Sequence, residues 1–218
     1  MIGARLPRKE DPRLLRGRGR FGDDISVPGQ LWARIVRSPS AHGQVRELDV
    51  TQAAKAPGIT AVVTAADLPP ELVIPVRLAV AGIDLSAHLQ PVLAARTVRY
   101  VGEPLAVVVG EDPYACEDAA ELVEIDIAEA PAVLDARTAP GHVAELSAGY
   151  GDVDAAFQAA RHVVRIELAI GRHSGVPLEP RCLLAVPDAE AGSLAIFGMT
   201  KVPVFNRDLL ARLLGMDD

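Results

Sequence analysis

An α+β fold is what this sequence predicts, and three observations predict it. Several short runs alternate apolar and polar residues with the period of two that a half-buried strand requires. One continuous stretch, VGEPLAVVVGEDPYACEDAAELVEIDI at 101–127, reads as strand, capped helix, strand. A Pro/Gly/Ala-rich connection at 131–149 then separates two patterned halves. Half of the 218 residues are hydrophobic but only 4% are aromatic, so the core must be built from Ala, Val, Leu and Ile. A chain of this length can bury roughly 70% of the surface its unfolded form exposes, enough for one large domain or two small ones.

Residues 1–24 form a basic, Pro/Arg/Gly-rich arm with no periodicity and are expected to be irregular. QLWARIVR (30–37) alternates as a strand that Ser38 and Pro39 end, and VRELDV (45–50) follows as a second. Thr51 then caps a short helix that Pro57-Gly58 terminates. ITAVVTA (59–65), rich in β-branched residues, reads as a buried strand, whereas Pro69, Pro70, Pro75 and Pro91 break any long element between 68 and 97. Leu105 to Val109 compose a buried strand; Asp112 stands at a helix N-cap with Pro113 at the first helical position, where a missing N–H costs nothing. Ala115, Ala119, Leu122 and Val123 make the apolar stripe of that helix, Glu117, Asp118 and Glu121 its wet face. VEIDI returns to a period of two, so strand, crossover helix and strand imply α/β packing.

Beyond the connection, Asp152 caps VDAAFQAA, and HVVRIELAI (162–170) alternates as a strand. RCLLAVP and SLAIFGM are two more strands joined by a turn at Ala191-Gly192. VPVFNRDLLARLLG is an amphipathic helix with Phe205, Leu209 and Leu213 on one stripe beside Leu210 and Leu214, and Gly215 is its C-cap. Nothing after Asp218 is expected to cover that stripe, and Asp217 and Asp218 put negative charge at a helix C-terminus, where it is unfavourable. Both features fit a chain interrupted within a domain.

The charge of −7 argues against a nucleic-acid binder as a whole, although seven of the first 20 residues are Arg or Lys against two acids. That arm offers no aromatic residue to stack a base before Phe21, so self-docking or a subunit contact is the favoured reading. Cys116 and Cys182 lie far apart without metal-type spacing. No signal-peptide pattern follows Met1 and no apolar run is long enough to span a bilayer, so a cytoplasmic protein with reduced thiols and no membrane partner is expected.

Potential chemistry concentrates in GRHSGVPLEPRC (171–182). A Cys182–His173 nucleophile pair is conceivable, but no orienting carboxylate accompanies it, and free cysteine is more often a small core residue. Glu179 reads either as a surface partner of Arg181 or Arg172 or as a carboxylate at the mouth of a pocket. Gly17, Gly19 and Gly22 spell G-x-G-x-x-G, yet no strand precedes and no helix follows, so the dinucleotide-binding mechanism is rejected.

The order of five segments is more informative: LPRKEDPRLLRGRGRFGDDI, ARIVRSPSAHGQV, YVGEPLAVVVGEDPYACEDAAELVEID, GDVDAAFQAARHVV and GRHSGVPLEPR. In that order the chain resembles, over essentially its whole length, the N-terminal part of the molybdenum-binding large subunits of the xanthine dehydrogenase/aldehyde oxidase family, nearest to the carbon monoxide dehydrogenase type. The resemblance implies an a/b hammerhead domain at 25–136, a linker at 137–150 and an incomplete α/β molybdopterin-binding domain at 151–218. It implies a substrate funnel walled by Glu179, Arg181 and His173, and places Lys201, in Met199-Thr200-Lys201, where such subunits carry a glutamine beside the metal's oxo ligand. Lysine there replaces a neutral amide with a hydrated point charge, which either keeps a contact to the cofactor or turns to water.

By the same resemblance, the cofactor is molybdenum–molybdopterin in its cytosine dinucleotide form, held mainly by a partner chain with the rest of that domain, while iron–sulfur clusters and FAD belong to partner subunits. No catalytic residue and no metal ligand is expected within this chain. The function implied is that of an N-terminal component of a molybdenum hydroxylase; the alternative is a non-catalytic binding or assembly module derived from one.

Overall fold

The computed structural model describes residues 2–76, 82–171, 173–177, 179–198 and 200–216. Backbone contacts divide the chain into two compact units, Gln30–Val164 and a second formed by Met1–Gly29 together with Arg165–Asp218. The arm is less irregular than its composition suggests: α1 (Asp11–Leu14) makes one helical turn with Pro12 inside it, and Gly22–Asp24 form a 3-10 turn closed by the Asp24 carboxylate on the Phe21 amide at 2.9 Å.

The Gln30–Val164 unit holds eight strands and two helices among its described residues: β1 (Trp32–Arg37), β2 (Gly43–Asp49), β3 (Ile59–Thr64), β4 (Val73–Ile74), β5 (Gln90–Pro91), β6 (Thr97–Val98), β7 (Pro104–Gly110), α2 (Pro113–Glu121), β8 (Glu124–Glu129) and α3 (Val153–Ala159). One antiparallel sheet runs β1-β7-β3 and a second β6-β2-β8, with β4 and β5 pairing separately. In the first, Trp32 and Ile59 both face Gly110 across the central strand. The strand–helix–strand pattern is therefore not a crossover within one sheet: β7 and β8 lie in different sheets, and every pairing among the described residues is antiparallel. Periodicity reports a strand's faces but carries no information about which sheet it joins.

β7 explains why both sheets share one interior. Ala106 and Val108, fully buried, pack with Val36, Ala53, Cys116 and Ala119, whereas Leu105, also fully buried, packs with Ala94 and Val98. Alanine at 106 and 119 lets α2 lie close on the strand, as the scarcity of aromatic residues requires. At the end of β7, a Cβ on Gly110 would stand 2.6 Å from the Gly58 carbonyl oxygen and 3.0 Å from Cys116 Sγ, so only glycine fits there. α2 starts as its sequence specifies: Asp112 Oδ1 accepts the Tyr114 and Ala115 amides at 2.9 and 3.0 Å, with Pro113 in the first turn. Its inner face differs from expectation in one respect. Cys116 occupies it with Ala119 and Val123, while Leu122 is 47% exposed at the helix end. Burial, and secondarily the Asp112 carboxylate, push the Cys116 thiol above the ordinary cysteine range, so it stays protonated.

Two further expectations are corrected. β3 is an edge strand and only half-buried, because β7 covers one side and no described strand pairs the other. Thr51 caps no helix: its amide donates to Asp49 Oδ1 at 2.8 Å, and the short 3-10 turn Ala53–Lys55 has no side-chain cap. Buried polar groups are paired. Ser38 Oγ donates to the Ser40 carbonyl and accepts the Ser40 amide, Ser40 Oγ donates to Glu129 at 2.8 Å, and Glu103, 1% exposed, accepts the Arg99 amide at 2.5 Å with the Arg99 guanidinium 3.4 Å away. The connection after β8 is irregular apart from the 3-10 turn Ala136–Thr138, and Asp152 caps α3 through the Ala155 amide at 2.9 Å.

In the other unit, β9 (Leu183–Asp188) and β10 (Ser193–Gly198) form a hairpin, followed by α4 (Pro203–Leu214). Asp188 Oδ1 holds the turn through the Glu190 and Ala191 amides at 3.0 and 2.9 Å, and Gly192 takes the left-handed conformation that closes it. Gly215, at φ 65°, caps α4 as expected. Residues 162–170, expected as a strand, are not one: Val164, Ile166, Leu168 and Ile170 are at least 72% exposed, and a strand exists only where a ladder partner pairs it. The charges at Asp217 and Asp218 lie outside the described residues.

Replacing Asp112 with Ala should destabilise the Gln30–Val164 unit by about 1 kcal/mol in denaturant unfolding, the usual loss of a helix N-cap. Cys116 should be alkylated only after denaturation, as peptide mapping by mass spectrometry would show.

Candidate functional site

The residues singled out by sequence converge on the unit built from the arm and 165–218. Its scaffold is the β9–β10 hairpin and α4, which enclose a cleft of about 700 Å³. The cleft wall is mostly apolar, with Leu194, Ile196, Leu210 and Leu214 prominent, while Thr200, Asn206 and Arg207 supply its polar groups. Within it the Asn206 side-chain amide donates to Thr200 Oγ1 at 2.5 Å. That bond ties the segment leaving β10 to the first turn of α4. Lys201 sits between them and is exposed, next to the cleft-lining Thr200; Met199 lies outside the described residues.

Upstream of the hairpin, the described residues of 160–182 carry no secondary structure, and they are exposed except two, Glu179 and Cys182. Both touch the arm. The Gly22 amide donates to Glu179 Oε1 at 3.0 Å, and a Cβ on Gly22 would stand 2.6 Å from Cys182 Sγ. Glu179 thus makes no ion pair with Arg181: its carboxylate accepts a backbone amide from 157 residues away. Arg181 is exposed, and no ion pair joins it to a described residue. The alternative partner Arg172 lies outside the described residues.

His173 does not assemble a nucleophile pair. Its Nδ1 lies 3.4 Å from the Gly171 carbonyl, and no hydrogen bond links it to Cys182, whose sulfur packs on Gly22 instead. The Gly17/Gly19/Gly22 spelling follows a helical turn rather than a strand, and Gly22 serves the Cys182 contact. Sequence reasoning overlooked that role; the signal was a glycine that no turn or helix cap required.

Among the described residues no three His, Cys, Asp or Glu side chains cluster to hold a metal ion. Thr200, Asn206 and Arg207 of the cleft, with the exposed Lys201 beside it, offer donors to the edge of an anionic or oxo-bearing group but no cluster of metal ligands among the described residues to retain one. A metal would reach these residues only within a cofactor bringing its own ligands. No described helix is long and apolar enough to cross a membrane.

Family models match the chain in two segments whose bounds differ from those of the two compact units. The family model described as aldehyde oxidase and xanthine dehydrogenase, a/b hammerhead domain, matches residues 16–131, and that of the molybdopterin cofactor-binding domain matches 136–218. The gamma subunit of the 6-hydroxypseudooxynicotine dehydrogenase complex of Paenarthrobacter nicotinovorans is 39% identical over all of this chain and 29% of its own length. The large chain of carbon monoxide dehydrogenase from Afipia carboxidovorans is 30% identical over the same shares. Among solved structures, quinoline 2-oxidoreductase from Pseudomonas putida 86 superposes with a TM-score of 0.82 at 31% identity, covering 98% of this chain and 29% of that one. The chain thus spans about three tenths of the length of these two curated relatives.

If Cys182 and His173 are chemically independent, His173→Ala should leave the alkylation rate of Cys182 at neutral pH unchanged. A tenfold fall in that rate would restore the pair.

Proposed function

Because this chain belongs to the aldehyde oxidase and xanthine dehydrogenase family, we propose that it is the hammerhead-bearing component of a molybdenum hydroxylase, working together with the rest of a molybdopterin-binding domain. The hammerhead then occupies 25–136, a linker 137–150 and the first part of the molybdopterin-binding domain 151–218, with 1–24 as the arm.

The observation that carries the reading is the distribution of burial. All fully buried residues among those described lie between Val36 and Val123, whereas the unit formed by the arm and 165–218 has none. A two-stranded hairpin and one helix cannot supply a core alone. Among the described residues β9 and β10 leave one edge each unpaired, the cleft between hairpin and helix is apolar, and 162–170 keeps strand alternation without a partner. These surfaces are what the rest of that domain would cover.

In this role Glu179, Arg181 and His173 wall the approach to the cofactor, and Lys201 reaches its edge. The cofactor is molybdenum–molybdopterin in the cytosine dinucleotide form. Such a cofactor would supply the redox chemistry, and iron–sulfur and FAD groups would belong to partner subunits. The substrate class we favour is a nitrogen heterocycle, because quinoline and 6-hydroxypseudooxynicotine give two of the similar proteins their names. A second reading, a non-catalytic assembly module, is favoured by one residue: a flexible cation at Lys201 is a poor substitute for an amide that must hold one geometry.

Co-expression with a polypeptide bearing the remaining molybdopterin-binding sequence tests the proposal. The purified complex should contain molybdenum by elemental analysis and oxidise quinoline. Molybdenum and activity that persist when this chain is omitted would establish the assembly module, and a chain that loads molybdenum and turns over substrate alone would overturn both readings.

A further inference from the structure

Among the described residues between 160 and 182 none lies in a strand or helix, and the two that escape full exposure are the two in contact with Gly22. Glu179 receives the Gly22 amide at 3.0 Å, and Cys182 Sγ fills the space where a side chain on residue 22 would begin. Gly22 is itself fixed. It opens a 3-10 turn in which Asp24 Oδ2 accepts the Phe21 amide at 2.9 Å and the Ile25 amide returns to the Gly22 carbonyl at 3.2 Å. On the other side of Cys182, its carbonyl oxygen would stand 2.6 Å from a Cβ on Gly198, the last residue of β10. Cys182 is thus pinched between two glycines, one from the arm and one from the hairpin.

We propose that Glu179 is a positioning residue: its carboxylate clasps the arm's turn at Gly22, and this clasp, closed over Cys182, anchors the segment around it, whose described residues form no strand or helix, to the start of β9. A carboxylate accepting a backbone N–H is among the stronger hydrogen bonds, and one that is part-buried loses less of that strength to water. The basic arm, read from sequence as a self-docking or subunit-contact element, thereby gains a definite role, which is to order the segment bearing His173 and Arg181. That this segment walls a substrate funnel rests on the proposed function above; the clasp does not, and it can be measured by thiol chemistry in the absence of cofactor.

The test is the rate of Cys182 alkylation by iodoacetamide in the full chain, resolved by peptide mass spectrometry, with Cys116 as an internal control in the other unit. Glu179→Leu removes the acceptor and should raise the rate about tenfold or more, the equilibrium factor expected for loss of one charge-assisted hydrogen bond. Glu179→Gln keeps a carbonyl acceptor and should bring the rate back most of the way toward the parent value. Gly22→Ala, which forces a methyl group against the sulfur, should open the clasp equally, and the double variant Gly22→Ala/Glu179→Leu should label no faster than either single one. An unchanged rate in Glu179→Leu, independent multiplication of the two effects, or labelling of Cys116 alongside Cys182 would each overturn the proposal. The last would mean global rather than local opening.

Discussion

The fold of the Gln30–Val164 unit depends on one constraint: β7 must be buried on both faces at once. Leu105 points into the cluster with Ala94 and Val98, while Ala106 and Val108 point into the cluster with Cys116 and Ala119. A strand in that position needs partners on both edges, which β1 and β3 provide, and polar punctuation at both ends. Glu103 supplies it at the beginning by taking the Arg99 amide and guanidinium into a site that is 1% exposed, and Gly110 and Asp112 supply it at the end. Alanine at 106 and 119 then sets how close α2 can approach. With 4% aromatic content, density has to come from proximity rather than from large side chains.

What the sequence revealed and what it hid follow from the range of the interactions involved. Asp112-Pro113, Asp152 and Gly215 were legible because a cap is decided within four residues. The hairpin of β9 and β10 was legible for the same reason, its turn being held by Asp188 through amides two and three residues further on. The sheet membership of β8 was not, because alternation describes one strand's faces and is silent about its neighbours. Residues 162–170 show the same limit from the other side: they alternate well and remain unpaired among the described residues. Thr51 misled because Asp49, two residues earlier, made the stronger local hydrogen bond.

The candidate site was legible as a segment and illegible as a geometry. Sequence located the chemistry-bearing residues at 171–182, and the ordered segments identified the family, yet the ion-pair reading of Glu179 took its partner from the same loop and the pocket reading named none. Its actual partner is a glycine amide 157 residues earlier. Such a contact leaves no spacing to read. The trace it did leave is negative: Gly22 stands in a turn whose backbone needs no glycine, and a residue without a side chain where none is locally required signals a close neighbour from elsewhere.

The two units divide along the line that separates a satisfied interior from an unsatisfied one, and that division bears on how the protein works. In Gln30–Val164 the polar groups that are buried, Ser38, Ser40 and Glu103, are all bonded, so the unit gains from burial without stranding a donor or acceptor. In the other unit the sheet has two strands, the helix turns an incomplete apolar face to a cleft, and no described side chain is fully buried. Hydrophobic stabilisation scales with apolar area removed from water, and the Gln30–Val164 unit holds buried clusters of a kind that the described residues of the other unit do not form. A loop anchored to such a unit is rigid only to the extent that the unit is, and the proposed Glu179–Gly22 clasp is the local contact that ties the segment around Glu179 to the arm and to the start of β9.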